Sequence, residues 1–227
     1  MHRTASLVLA AALAASVLPS AANAATTFSF EGFQDTEMIL QAYNGGTGSM
    51  GSAISNSGVF FDPGFFAGND SDITSNVGFW GDTAYEPDGM GSMYFANLTG
   101  VPYGIINVPS GFNTQWSSFY AAKVACQIDV WAGPNGSGAN LGSLTINPNA
   151  QTSGGDPNGS FNTWNVATIP FSGTALSVTY NGPSFDVHFD RMDFGLASVI
   201  MLMVFLVTIA LVTLVYFLFE GDAFDEE

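Results

Sequence analysis

"SSFYAAKVACQIDVWAG", residues Ser117–Gly133, carries the reading of the fold. Val124, Cys126, Ile128 and Val130 recur at every second position, the period of a β-strand whose successive side chains point to opposite faces. The same spacing turns Cys126 inward, as a small buried hydrophobe rather than a nucleophile or an intermolecular bridge. Cys126 is the one cysteine of the chain, so no intramolecular disulfide can form and stability must come from packing or a bound ion.

Short runs of the same character lie on both sides. They are "TFSFEGF" from Thr27, "SGVFF" from Ser57, "SMYFANL" from Ser92, "LGSLTI" from Leu141, "WNVATIPF" from Trp164, "ALSVTY" from Ala175 and "FDVHFDRMDF" from Phe185. Gly, Pro, Asn, Asp and Ser clusters separate them, and no amphipathic helix stands out before Gly195. The pattern predicts an all-β, jelly-roll-like two-sheet sandwich followed by a single C-terminal transmembrane helix. "YNGGTGSMGS", "PDGMGS", "AGPNGSGANLG" and "TSGGDPNGS" read as turns that exploit the freedom of glycine. None is a phosphate cradle, because no Lys-Ser/Thr or helix start follows.

The two ends set the predicted address. Residues 1–24 combine a polar start with Arg3, an apolar stretch, Pro19 and Ala22-Asn23-Ala24, which reads as a Sec-type signal peptide cut after Ala24. The β-sandwich domain is expected over residues 25–195. Leu196–Phe219 carries no charge and makes about 36 Å of helix at ~1.5 Å per residue, enough for a hydrocarbon core of roughly 30 Å. It is read as a transmembrane helix, with residues 220–227 as an acidic tail. The expected topology is a single-pass anchor in the cell envelope, with the β domain outside the cytoplasm.

Charge excludes one class of partner. Once the signal peptide is gone, Lys123 and Arg191 are the only permanent positive charges against 19 acidic residues, so no phosphate-binding surface for nucleic acid can be assembled.

The order "FSFEGFQDTEMILQAYNGGTGSMGS", "INVPSGFNTQWSSFYAAK", "IDVWAGPNGSGANLGSL", "IPFSGTALSVTY", "FDRMDFG" resembles the exported bacterial PEP-CTERM proteins over roughly Phe28 to Gly195. The resemblance implies an exported β domain carrying a C-terminal membrane helix. The family's Pro-Glu-Pro signal and Arg-rich tail, which an exosortase reads, are absent here. Exosortase sorting is therefore not expected.

No catalytic residue is assigned. His188, flanked by Asp186 and Asp190, shares one strand face with both, and that face is read as solvated rather than as a metal or acid–base site. Asp35, Glu37, Glu86 and Asp88 are loop acids with nothing to mark them as the facing pair a glycosidase needs. Among the rings, Trp116 and Trp164 fall within strand-like runs and are expected in the core. Tyr43, Tyr85, Tyr94 and Tyr103 add flat apolar faces, but Trp80 and Trp131, beside loops, are the candidate ligand-binding residues. Glu31 and Asp190, near the first and last strands, are the candidate ligands of a structural calcium ion. The sequence thus reads as a non-enzymatic, membrane-anchored surface or extracellular-matrix protein. The alternative is a carbohydrate-binding module contacting extracellular polysaccharide, and a glycoside hydrolase or lyase is the more remote reading.

Overall fold

The computed structural model describes residues 26–69, 86–96, 103–150, 161–183 and 185–195, together with Ile209 and Thr213. The strands are β1 (Thr26–Phe28), β2 (Phe60–Phe61), β3 (Phe65–Asn69), β4 (Gly91–Phe95), β5 (Tyr103–Phe112), β6 (Gln115–Ala122), β7 (Cys126–Trp131), β8 (Asn140–Ile146), β9 (Asn165–Pro170), β10 (Ala175–Asn181) and β11 (Val187–Gly195). One sheet runs β3-β4-β11-β6-β9, with β1 added against Met192–Phe194 of β11, and the other runs β2-β5-β10-β7-β8. All the pairings are antiparallel. From β4 to β11 the chain changes sheet at every connection except the β7–β8 hairpin, which is the wrapping of a jelly roll.

The Ser117–Gly133 run is therefore two strands in two sheets. β6 ends at Ala122, a bend over Lys123–Ala125 carries the chain across, and β7 starts at Cys126. Trp116, Tyr120 and Ala122 before the bend and Cys126, Ile128 and Val130 after it all enter one core, with Val124 packed at its edge. The period of two passes through the crossing unbroken, which is why the sequence shows no sign of it.

β5 was not among the expected strands, and it carries Pro109 in its interior. Pro109 falls where the β5–β10 register slips, between the pairs Ser177↔Asn107 and Ala175↔Phe112, so its missing N–H costs no ladder hydrogen bond. Gly104 of β5 has a second reason to be glycine. A Cβ there would lie 2.5 Å from the ring of Phe65.

The core between the sheets is aromatic. Phe65 meets Phe61 and Tyr180 edge-on, each at 5.6 Å between ring centres. Tyr180 continues edge-on to Phe189 at 5.1 Å and Trp116 at 6.0 Å. A second string links Tyr43, Phe28, Phe194 and Phe112 at 4.8, 5.4 and 4.8 Å. Edge-to-face contacts of this kind add about 0.5–1.5 kcal/mol each beyond the area they bury.

The sandwich lies within a compact unit, Ala25–Leu196. The segments read as signal peptide and acidic tail lie outside the described residues. Of the stretch read as a transmembrane helix only Ile209 and Thr213 are described, both helical, with the Thr213 hydroxyl donating to the Ile209 carbonyl at 2.8 Å. Among the described residues no helix is long and apolar enough to cross a membrane.

Candidate functional site

Alternation along β7 buries Cys126, Ile128 and Val130 and sends Gln127, Asp129 and Trp131 to the outer face of the β2-β5-β10-β7-β8 sheet. Antiparallel pairing then fixes their neighbours. Gln127 lies opposite Asn181 of β10 and Thr145 of β8, Asp129 opposite Thr179 and Ser143, and Trp131 opposite Ser177 and Asn140. The result is a polar face around one indole.

Asp129 organises that face. Its Oδ1 accepts hydrogen bonds from Gln127 Nε2 at 3.0 Å, Asn140 Nδ2 at 3.3 Å and the Ser143 hydroxyl, and its Oδ2 accepts from Gln127 Nε2 at 3.2 Å. Two amides and a hydroxyl are thereby held in fixed orientations around a carboxylate whose charge they compensate. The Trp131 indole N–H donates to Thr179 Oγ1 at 2.9 Å, which fixes the ring plane and leaves the side chain half-buried.

The loop after β7 walls one end. Asn135, at φ 55°, donates its N–H to Asn107 Oδ1 at 2.8 Å and accepts from Asn107 Nδ2 at 3.0 Å. Gly136 N–H donates to Ser177 Oγ at 3.0 Å, and Ser177 donates to the Gly133 carbonyl at 2.6 Å. Asn107 and Ser177 are consequently buried, while Gln127, Asn140, Ser143, Thr145 and Asn181 stay exposed. An exposed row of amides and hydroxyls beside a half-buried indole suits a ligand with one apolar face and hydroxyls around its edge.

Of the residues expected to bind ligand, Trp131 is on this face and Trp80 lies outside the described residues. Gln127 and Asp129 were not singled out from the sequence, although the period that buries Cys126 places them beside Trp131. Asn140, Ser143, Thr179 and Asn181 join through strand pairing, which leaves no local mark. Trp116 is fully buried as expected. Trp164 is half-buried instead of in the core, because it precedes β9 on the edge of its sheet. Tyr43 is a buried core ring and Tyr94 is buried on the outer face of its sheet against His188, so neither offers surface.

The solvated face expected for His188 is corrected. His188 and Asp190 are buried and Asp186 is half-buried, because the outer face of β11 is covered by residues distant in sequence. Phe161 lies 4.1 Å and Tyr94 5.2 Å from the imidazole, ring centre to ring centre, and Ser92 Oγ is 3.1 Å from Nδ1. Lys123 Nζ sits 4.4 Å from the centre of the Phe161 ring. Burial, with Lys123 adding to it, pushes the imidazole down to about 3, so His188 is neutral in the folded protein.

Two of the loop acids are held by the backbone around them. Glu37 is buried and accepts from the amides of Gln34, Met50 and Ser52 at 3.0, 2.9 and 3.0 Å and from the Ser52 hydroxyl. Burial alone would raise it, but the Ser52 hydroxyl and these amides together hold it below the usual carboxylate range. Asp35 is raised by burial despite accepting from the amide of Asn69. Glu31 and Asp190, in contrast, converge on one turn. Glu31 Oε1 accepts from the amides of Met90 and Gly91 at 2.9 and 2.6 Å, and Asp190 Oδ2 accepts from the amide of Asp88 at 3.0 Å. Burial drives Asp190 up to about 7, opposed by the amides of Arg191 and Asp88 and reinforced by the charges of Asp88 and Glu31. Among the described residues no group of three His, Cys, Asp or Glu side chains is arranged to hold a metal ion.

No protein-family model matches the chain, and no curated protein matches it in sequence. Solved structures do resemble it. The K2 cleaved adhesin domain of Lys-gingipain aligns at a TM-score of 0.44 and 13% identity, over 76% of this chain and 100% of that one. The K1 cleaved adhesin domain of Lys-gingipain from Porphyromonas gingivalis W83 aligns at 0.42 and 14%, over 78% and 100%. A family 29 carbohydrate binding module aligns at 0.35 and 11%, over 76% and 91%. Likenesses of this size say nothing about a ligand.

His188 generates a pH prediction. An imidazole with a folded pKa below its unfolded 6.5 takes up protons preferentially in the unfolded chain, so its contribution is complete above pH 6.5 and is lost as pH falls toward about 3. Asp190 works in the opposite sense, since its cost builds between 3.8 and about 7 as pH rises. Comparison with His188→Gln isolates the imidazole. Between pH 7 and pH 4 urea unfolding should show wild type losing stability relative to the variant, by up to about 1.4 kcal/mol per pH unit; parallel curves would mean that His188 takes up its proton in the fold as readily as in the unfolded chain.

Proposed function

We propose that this chain is an exported, membrane-anchored surface protein whose β-sandwich binds carbohydrate on the outer face of the β2-β5-β10-β7-β8 sheet. The observation that carries the reading is the cluster in which Asp129 orients Gln127, Asn140 and Ser143 beside Trp131. The hydrophobic C–H face of a pyranose packs on the indole, and its hydroxyls bond to the surrounding amides and hydroxyls. No step of bond breaking is assigned: among the described residues no second acid on this face is opposed to Asp129.

Binding of soluble neutral oligosaccharides, followed by calorimetry and tryptophan fluorescence, tests the site. Trp131→Ala should weaken binding by about tenfold or more, the effect of losing a ring contact whose stacking and buried apolar area together are worth about 1.4 kcal/mol or more. Asp129→Ala should weaken it too, by freeing Gln127 and Asn140. Unchanged affinity in both variants would remove the site from this face.

The anchor rests on the apolar stretch Leu196–Phe219, and the signal peptide on residues 1–24. Full-length protein should stay with membranes through an alkaline carbonate wash, and truncation after Gly195 should release it. Recovery of the full-length protein in the wash would refute the anchor.

A structural calcium ion on Glu31 and Asp190 completes the proposal. The donor chemistry fits, since both side chains offer hard oxygens and Asp190 is buried among like charges. Backbone carbonyls and water would have to supply the remaining oxygens. Calcium at a hundredfold excess over its Kd would add about 2.7 kcal/mol to the stability of the fold. The melting temperature should rise by several degrees between chelator and calcium, and Asp190→Asn or Glu31→Gln should remove the rise. Equal melts for wild type in both buffers would rule the ion out.

A further inference from the structure

The outer face of the other sheet carries a cleft built from different residues. β11 pairs with β6 from Val187↔Ala122 to Asp190↔Phe119, and resumes at Asp193↔Ser117. One more residue of β11 than of β6 lies between those pairs, which makes a β-bulge. Arg191 sits in it at φ 42°, a left-handed conformation that costs a non-glycine residue energy and that recurs at binding sites. The bulge lets Met192 enter the core while Arg191 stays exposed.

Beside it opens a cleft of about 280 Å³ lined by Ser117, Ser118, Phe119, Val166, Arg191 and Asp193. Phe119 and Val166 are cross-strand partners on β6 and β9 and form an apolar floor. Val166 is 61% exposed, the most exposed large hydrophobic residue described. Arg191 is bonded through its backbone N–H to Asp190 Oδ1, and among the described residues its guanidinium is unpaired. Asp193 is held in place by the hydroxyl of Thr27 on β1.

We infer that this cleft is a second carbohydrate site, taking one neutral sugar ring on the face of the sandwich away from Trp131. A guanidinium donor and a carboxylate acceptor two residues apart match the neighbouring hydroxyls of a pyranose, and the Phe119–Val166 floor matches its C–H face. The cleft is at the small end of ligand sites, which limits it to a single ring. Asp193 disfavours a uronate or a phosphorylated sugar. With a site on each sheet, one domain would bridge two glycan strands, and on an insoluble polymer the loss of either site would cost more than its own affinity.

The test titrates full-length protein in detergent micelles with hexamers of β-1,4-glucan, β-1,4-xylan and α-1,6-glucan, and with a β-1,4-linked uronate hexamer. The variants are Trp131→Ala, Val166→Asp and Arg191→Asn, the last because asparagine tolerates the left-handed backbone. In the Trp131→Ala protein binding of a neutral hexamer should persist, and adding Val166→Asp or Arg191→Asn should weaken it by about tenfold or more with no change in melting temperature. If Trp131→Ala abolishes all binding, or neither second substitution reduces what remains, the cleft is not a site. Loss through Val166→Asp with no effect of Trp131→Ala would keep the cleft and defeat the Trp131 face. Tighter binding of the uronate than of any neutral hexamer, or no binding of any neutral hexamer, would overturn the inference.

Discussion

Everything in this molecule hangs on a layer of aromatic rings pressed between two sheets that no disulfide joins. With a single buried cysteine, the sheets are held mainly by packing, and Phe65, Tyr180, Trp116 and Phe189 from both sheets form one continuous edge-to-face string. The backbone has been shaped around those rings. Gly104 exists where Phe65 presses on β5, and the bulge in β11 restores the phase that puts Met192 and Phe194 inside after Asp190. Tyr180 bonds to the Met192 sulfur at 3.4 Å, so even the one hydroxyl in the middle of the string has a partner.

Packing two inner faces determines the outer faces as well, since each strand has only two. That is why the functional reading follows the core. The period of two at Cys126, Ile128 and Val130 was legible in the sequence, and it fixes Gln127, Asp129 and Trp131 as a row. The identity of the rows beside it was not legible. Thr179 and Ser143 reach Asp129 because β10 and β8 flank β7, and strand order is a property of the whole wrap rather than of any segment.

His188 shows the same boundary from the other side. Its phase on β11 was read correctly, opposite Val187 and Phe189, but phase says which face a side chain takes and not what covers that face. Phe161, Tyr94 and Lys123 do so from positions remote in sequence. Pro109 shows a related boundary, because a proline marks a break in pairing without saying whether the strand ends or bulges there. In β5 it bulges.

The scarcity of cations gives the chain a problem that it solves three times, differently. Buried carboxylates usually find a salt bridge, yet Lys123 and Arg191 are the only permanent cations between Arg3 and the C-terminus, and Lys123 already lies over a ring. Glu37 is instead satisfied by three backbone amides and a hydroxyl, which pin the segment Met50–Ser52 to it and keep it ionised. Asp129 is satisfied by side-chain amides and a hydroxyl on a surface, so the same solution leaves those groups ordered and facing solvent. Asp190 accepts only two amides while Asp88 and Glu31 push on it, and its carboxyl rises toward neutrality. Where donors suffice, a buried acid orders a loop or a polar face. Where they fall short, as at Asp190, the carboxyl is driven up toward the proton, and the calcium ion proposed above would be the other way to settle its charge.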